Sequence, residues 1–120
     1  MHDESSTFVR VEYLNKKNVM PIIQEAAKLM KRDPNVVSVQ LFGSLVTGDY
    51  APGSDADILV ILKNDKRRMI DRIPEFLDFF SEVPIPVEVF PYTEKEIEHM
   101  KEAGNSFIRE ILDTALKLII

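Results

Sequence analysis

The chain has 120 residues, a formal net charge of −5 and no cysteine. This length predicts a single domain over residues 1–120, and the acidic balance argues against tight, sequence-independent binding of nucleic acid, which depends on basic side chains. Without thiolates, a bound metal needs oxygen or imidazole ligands. No apolar run approaches the roughly 18 residues that cross a bilayer, and the first residues lack the pattern of a signal peptide. We therefore expect a cytoplasmic protein without a membrane anchor, folding alone or as a small homo-oligomer.

The first part of the chain predicts one helix and one strand. Residues 1–6 are polar and predicted to be disordered, and residues 8–13 predict a short strand or an extended lead-in. Apolar residues recur at helical spacing over residues 15–32, so one face of a helix should meet a core. After turn-forming residues at 33–35, the β-branched run 36–42 predicts a strand.

The middle of the chain predicts a loop between two paired strands. Residues 43–54 contain three of the four glycines and precede the apolar run 56–62, which predicts the second strand. Residues 65–81 return to helical spacing, although Pro74 should kink or split the helix.

The last part predicts a third strand and further helices. Residues 85–90 form the strand, and the neighbouring prolines confine it to a sheet edge. Thr93 and Glu96 have the form of a capping box that begins a helix, which Gly104 and Asn105 end before the next one. Residues 116–120 end the chain as helix or as a short extended tail. Alternating strands and helices predict an α/β or α+β domain, with a small mixed sheet of three to four strands covered by helices.

Two aspartates at the start of the second strand are candidate metal ligands. Because side chains alternate along a strand, Asp55 and Asp57 share one face, with Cα atoms about 6–7 Å apart. Carboxylates this close repel each other and require a counter-charge. Oxygen-only ligands suit magnesium, with manganese as the alternative. An isolated Asp-x-Asp pair is nevertheless more often structural than catalytic.

Two further features add to the aspartate pair. Glu88 lies on the face opposite Val87 and Val89, and beside the aspartates it would complete three carboxylates able to hold two metals for phosphoryl or nucleotidyl transfer. The alternative is an ordinary acid on an exposed edge strand. Gly43-Ser44 directly follows a strand, where glycine allows close approach of a ligand and the serine hydroxyl and free amides can bind phosphate. The alternative for this dipeptide is a simple tight turn.

The run from Leu41 to Val60 resembles the minimal nucleotidyltransferase (MNT) branch of the superfamily that includes DNA polymerase β. The match consists of Gly43-Ser44, ten residues, Asp-x-Asp within a strand, and a later strand of the form Pro-Val-Glu-Val-Phe. It covers most of the chain from about residue 36 and extends through Phe107-Ile108-Arg109. The resemblance implies the nucleotidyltransferase fold.

The resemblance also implies which residues form the site. Ser44 would contact the triphosphate of ATP or another nucleoside triphosphate, the aspartates would bind Mg²⁺, and Glu88 would assist the attacking hydroxyl. Many relatives carry a basic residue where this chain has Leu45, and an aspartate where it has Glu88. The candidate catalytic and metal-binding residues are Asp55, Asp57 and Glu88, and the candidate nucleotide-binding residues are Gly43, Ser44 and Ser54.

The function implied by the resemblance is transfer of AMP from ATP to a hydroxyl group, most economically on a partner protein. Minimal relatives often pair with a small helical HEPN protein, with the MNT member as antitoxin of the toxin. One alternative is a non-catalytic MNT-fold antitoxin that neutralises its partner by contact. Another is a small-molecule nucleotidyltransferase of the aminoglycoside type, against which the lack of an acceptor domain counts.

Overall fold

The computed structural model describes residues 16–47 and 55–118. The predictions for residues 1–6 and 8–13, and for most of the loop 43–54, lie outside this part of the chain. The elements, in chain order, are α1 (Lys16–Met30), β1 (Val36–Phe42), α2 (Ser44–Thr47), β2 (Ala56–Leu62), α3 (Met69–Leu77), a 3-10 helix (Asp78–Phe80), β3 (Val87–Thr93), α4 (Glu94–Glu102), α5 (Ser106–Thr114) and β4 (Leu116–Lys117).

The strands form one four-stranded sheet in the order β3-β2-β1-β4. β1 pairs antiparallel with both β2 and β4, whereas β2 and β3 are parallel. The prediction of a small mixed sheet with helices is confirmed, and β3 occupies the sheet edge that its prolines predicted. After α5 the described chain forms β4, whose two residues pair with Gln40 and Leu41.

Apolar side chains cover both faces of the sheet, and β2 contributes to each. Its residues Ala56, Ile58, Val60 and Leu62 pack into a core that includes α1 and α3 residues. Leu59 and Ile61 pack into a second core with residues of α4 and α5. The alternation predicted for this strand is therefore confirmed. Among the described helices, none is both long and apolar enough to span a membrane.

The helix predicted over residues 65–81 begins later, at Met69. Asp65 Oδ1 accepts hydrogen bonds from the backbone amide (2.9 Å) and side chain (3.0 Å) of Arg67, which holds this segment in a turn. α3 continues unbroken through Pro74 to Leu77 and then tightens into the 3-10 helix. Local side-chain hydrogen bonding, rather than the apolar spacing, therefore determines where the helix starts.

The third strand lies two to three residues further along the chain than predicted, over Val87–Thr93. Pro84 and Pro86 precede the strand, whereas Pro91 lies inside it. An edge strand has no neighbour on one side, so it tolerates a residue without an amide donor. The Pro91 carbonyl accepts a hydrogen bond from Nη1 of Arg72 (2.9 Å).

The capping box predicted at the start of α4 is confirmed. The Thr93 hydroxyl accepts a hydrogen bond from the Glu96 amide (3.1 Å), and the Glu96 carboxylate accepts one from the Thr93 amide (2.9 Å). The same carboxylate accepts two hydrogen bonds from the Arg72 guanidinium, at 2.8 and 2.9 Å. Glu96 therefore joins α3 to the β3–α4 connection.

Arg72 is the largest polar side chain in the described interior and is 1% exposed. Besides Glu96 and Pro91, its guanidinium donates to the backbone carbonyls of Asp65 (3.1 Å) and Arg67. A buried guanidinium requires such partners, because an unpaired buried charge is strongly unfavourable. Its hydrogen bonds fix α3, the preceding loop and the end of β3 relative to one another.

We predict that Arg72→Ala lowers the free energy of unfolding by about 3 kcal/mol, because it leaves several acceptors without a donor. Arg68→Ala is the matched control: the Arg68 side chain is 81% exposed and, among the described residues, pairs with Asp71 at the surface, so its loss should cost below about 1 kcal/mol. Urea unfolding of both variants measures the difference, and equal effects would contradict the role assigned to Arg72.

Candidate active site

The topology brings three segments to the same end of the sheet. β1 runs antiparallel to β2, so its last residue, Phe42, pairs with Asp57 near the start of β2. β3 runs parallel to β2, so Asp57 also pairs with Glu88 near the start of β3. The turn at Gly43, the aspartates and Glu88 therefore lie in one row across three strands. Ser54 lies outside the described residues.

Asp57 and Glu88 lie on the same face of the sheet. Paired residues of neighbouring strands point to the same side, with Cα atoms about 4.8 Å apart. Asp55 directly precedes β2 and lies close enough for its negative charge to raise the pKa of Asp57. The register is held next to the site, where the Ala56 amide donates a hydrogen bond to the Pro86 carbonyl (2.9 Å). Asp55 and Asp57 are half-buried and Glu88 is exposed.

The Asp57 carboxylate lies against the backbone of the turn that follows β1. Gly43 has a φ of +86°, and a Cβ atom at this position would lie 2.5 Å from Asp57 Oδ2. Any other residue would be strained by the positive φ and would collide with the carboxylate. The structure thus places Gly43 and Asp57, ranked separately as candidates by sequence, in direct proximity.

Ser44 opens the short helix α2, which directly follows this glycine. The Gly43 carbonyl accepts hydrogen bonds from the amides of Val46 (3.0 Å) and Thr47 (3.1 Å). The first amides of a helix have no acceptor within it, so those of Ser44 and Leu45 can face a ligand. Leu45 is fully buried and anchors the turn in the core. The turn therefore offers backbone amides and one half-buried hydroxyl beside the carboxylates.

The carboxylates influence one another electrostatically. The pKa of Asp57 is raised from its usual value of 3.8 to about 6, mainly by burial and additionally by the negative charges of Glu88 and Asp55. No described lysine or arginine forms an ion pair with any of these three acids. Such an uncompensated concentration of negative charge is typical of functional sites rather than of ordinary surface.

The three carboxylates lie near one another without converging on a point. Within residues 16–47 and 55–118, no three acidic or histidine side chains are gathered closely enough to hold a metal ion. Mutual repulsion favours this spacing until a cation offsets the charge. The donor set is oxygen only, which is the chemistry that Mg²⁺ and Mn²⁺ prefer. Asp55, Asp57 and Glu88 are therefore chemically suited to a divalent cation, and their role as ligands stays a prediction.

An aromatic cluster that the sequence did not predict lies beside the carboxylates. Phe42, Phe90 and Phe107 come from β1, β3 and α5, and their ring centroids lie 5.4 to 6.0 Å apart. Phe42 precedes the Gly43 turn, and Phe90 is two residues after Glu88 on the same face. These phenylalanines are distant in sequence. Phe90 and Phe107 lie in segments that carry the family resemblance, but no local pattern predicted that the three rings meet.

We predict that Asp57→Asn stabilises the metal-free protein at pH 8 by about 1 kcal/mol, after allowance for solvent screening. A raised pKa means that the folded state disfavours the charged carboxylate, so wild-type stability falls as the pH rises from about 4 to about 6. Asparagine carries no charge and removes this dependence. Urea unfolding of the wild type and of Asp57→Asn, in the presence of a chelator at pH 4 and pH 8, measures this difference in stability. Asp113→Asn, at an exposed aspartate, is the control. A destabilised Asp57→Asn protein at pH 8 would contradict the electrostatic account.

Comparisons with known proteins agree with this geometry. A family model described as "Nucleotidyltransferase domain" matches residues 23–118. A crystal structure of a Sulfolobus solfataricus protein assigned as a nucleotidyltransferase is similar, with 26% sequence identity and a TM-score of 0.56, over 70% of this chain and 75% of that one. No curated protein matches the sequence. The match over most of the chain, together with the Gly43 turn and the carboxylates it faces, shows that this chain belongs to the nucleotidyltransferase domain family.

Proposed function

We propose that this domain transfers AMP from ATP to a hydroxyl group of a partner protein, in a reaction that depends on Mg²⁺. The observation that carries the proposal is the pairing of Asp57 with Glu88 in adjacent strands, with the Asp57 carboxylate against Gly43. The family supports nucleotidyl transfer in general. That the nucleotide is ATP, that the metal is Mg²⁺ and that the acceptor is a protein hydroxyl are the parts that we propose.

The turn after β1 would hold the phosphates of the nucleotide. The amides of Ser44 and Leu45 and the Ser44 hydroxyl can donate hydrogen bonds to phosphate oxygens, and glycine at position 43 lets the ligand approach the backbone. Asp55 and Asp57, with Glu88, would hold Mg²⁺, which when bound supplies positive charge to the phosphate oxygens. The chain itself would position the phosphates and provide the negative charge that attracts the cation.

Glu88 is the candidate for handling the acceptor hydroxyl. In the proposed reaction the hydroxyl oxygen forms a bond to the α-phosphorus, the bond from that phosphorus to the bridging oxygen of the β-phosphate breaks, and pyrophosphate leaves. The hydroxyl proton passes to Glu88, a general-base contribution of about 10² to 10⁴ in rate. Glu88 is exposed, so its carboxylate is accessible to an incoming acceptor.

The exposure of the site favours a large acceptor. Glu88 lies on β3, which is an edge strand of the sheet, so a side chain on the surface of another protein can reach it. A small acceptor would instead need an enclosing pocket around the reactive carboxylates. We propose that the acceptor is a HEPN-domain toxin and that the chain acts as its antitoxin, as the family resemblance implies.

Incubation with ATP and Mg²⁺, with and without a HEPN protein from an adjacent gene, tests the reaction. We expect the intact mass of the partner to increase by one AMP group. Asp57→Ala should abolish the increase, because the variant loses a carboxylate of the proposed metal site, and Asp113→Ala should retain it. Undiminished transfer by Asp57→Ala would overturn the assignment of this site.

Thermal unfolding separates a nucleotide-binding site from a pure protein-binding module. A ligand that binds only the folded state raises its stability by about 2.7 kcal/mol at a hundredfold excess over Kd. We expect ATP with Mg²⁺ to raise the Tm of the isolated protein. An antitoxin that acts by contact alone would show no shift.

The two described glycines with positive φ provide a matched pair for the turn. Gly43→Ala and Gly104→Ala should each lower stability by about 1–2 kcal/mol, the cost of a left-handed backbone at alanine. A Cβ at Gly104 meets no atom within 4 Å, whereas one at Gly43 meets Asp57 Oδ2. Gly43→Ala alone should therefore lose the Tm response to ATP and Mg²⁺. Retention of that response would show that the Gly43–Asp57 contact does not matter for binding.

A further inference from the structure

A cavity of about 200 Å³ opens beside the Gly43 turn, between the end of β1 and α5. Its wall includes Phe42, Gly43, Phe107 and Glu110. Gly43 is shared with the proposed phosphate-binding turn, so a nucleotide held there has its remaining groups within reach of this cavity. Neither the three carboxylates nor the family match assigns a ligand to this cavity.

The size of the cavity restricts its occupant. Pockets that enclose whole drug-sized ligands have volumes of about 300–1,000 Å³, so about 200 Å³ suits one ring system rather than a complete nucleotide. The Glu110 carboxylate disfavours phosphate, and no lysine or arginine lines the cavity within the described residues. The occupant should therefore be an uncharged, compact group.

The chemistry of the wall favours a flat aromatic ring. Phe107 is 45% exposed although it contacts both Phe42 and Phe90, at 6.0 and 5.8 Å between ring centroids. The aromatic neighbours hold its ring in place while part of it remains open at the cavity. Aromatic side chains fixed in this way form platforms on which nucleobases stack.

Glu110 adds a preference among nucleobases. A carboxylate only accepts hydrogen bonds, and such charge-assisted bonds are stronger than neutral ones. A base with an amino group can donate to it, whereas uracil presents carbonyl oxygens on both sides of its single ring N–H. Glu110 follows Phe107 by three positions on α5, so the two side chains lie on the same side of that helix.

We propose that this cavity binds the nucleobase of the donor nucleotide, with the base stacked on Phe107 and an amino group of the base donating to Glu110. The inference rests on the proposed function, because it assumes a nucleoside triphosphate at the Gly43 turn. In this proposal, residues of α5 select which nucleotide binds, and the three carboxylates do not.

Calorimetric titration of the full chain with ATP, UTP and inorganic tripolyphosphate, each with Mg²⁺, tests the proposal. Phe107→Ala should weaken ATP binding about ten-fold, from the usual range for base stacking, and should leave tripolyphosphate binding unchanged. Phe107→Leu preserves apolar packing without an aromatic face and should weaken ATP in the same way if Phe107→Ala folds poorly. Phe79→Ala, at an exposed phenylalanine of the 3-10 helix, is the control.

Glu110→Ala should reduce the preference for ATP over UTP while leaving Phe107 in place. Loss of a negative charge near the phosphates would by itself tighten ATP, UTP and tripolyphosphate together, so the ratio of ATP to UTP affinity is the readout. Glu102→Ala on the preceding helix is the control. Unchanged ATP binding in both Phe107 variants would overturn the base cavity. A wild-type protein that binds neither ATP nor tripolyphosphate would instead overturn the proposed function.

Discussion

The fold holds like charges side by side, in adjacent positions of two parallel strands. Repulsion between Asp57 and Glu88 opposes this arrangement, and the ladder of β2 and β3 must resist it. The ladder is fixed at one end by the Ala56–Pro86 hydrogen bond, and at the other by Arg72, which binds the Pro91 carbonyl and Glu96. A slip of one residue would turn Glu88 to the opposite face. The geometry of the site therefore depends on contacts that lie outside it.

The acids that support the frame and Asp57 of the site respond to pH in opposite directions. Hydrogen bonds from Arg67 lower the pKa of Asp65 to about 2, and those from Arg72 lower the pKa of Glu96. Acids with lowered pKa values stabilise the fold above their usual pKa, and this contribution is lost as the pH falls. Asp57 has a raised pKa of about 6, so its effect on the metal-free fold becomes unfavourable as the pH rises. Arginine thus compensates the negative charges of Asp65 and Glu96. A bound cation would compensate the charge of Asp57 in the same way.

Local patterns were enough to predict the strands that carry most of the site. β1 and β2 have the predicted bounds because both strands are rich in apolar residues and are buried on both faces of the sheet. The start of α3 depended on Asp65 binding Arg67, and the register between Asp57 and Glu88 depended on long-range pairing, which no local pattern encodes. The aromatic cluster joins three distant segments for the same reason. The catalytic and binding roles of the site residues stay predictions.

The buried Leu45 indicates how a triphosphate could be held by so acidic a protein. This side chain is fully buried in the core, so it supplies packing and no charge. The net charge of −5 adds to the repulsion of phosphate. Neutralisation would then fall to backbone amides of α2 and to a divalent cation on the carboxylates. Leu45 packs the turn against the core, and amides held in place by packing lose less entropy on binding a ligand.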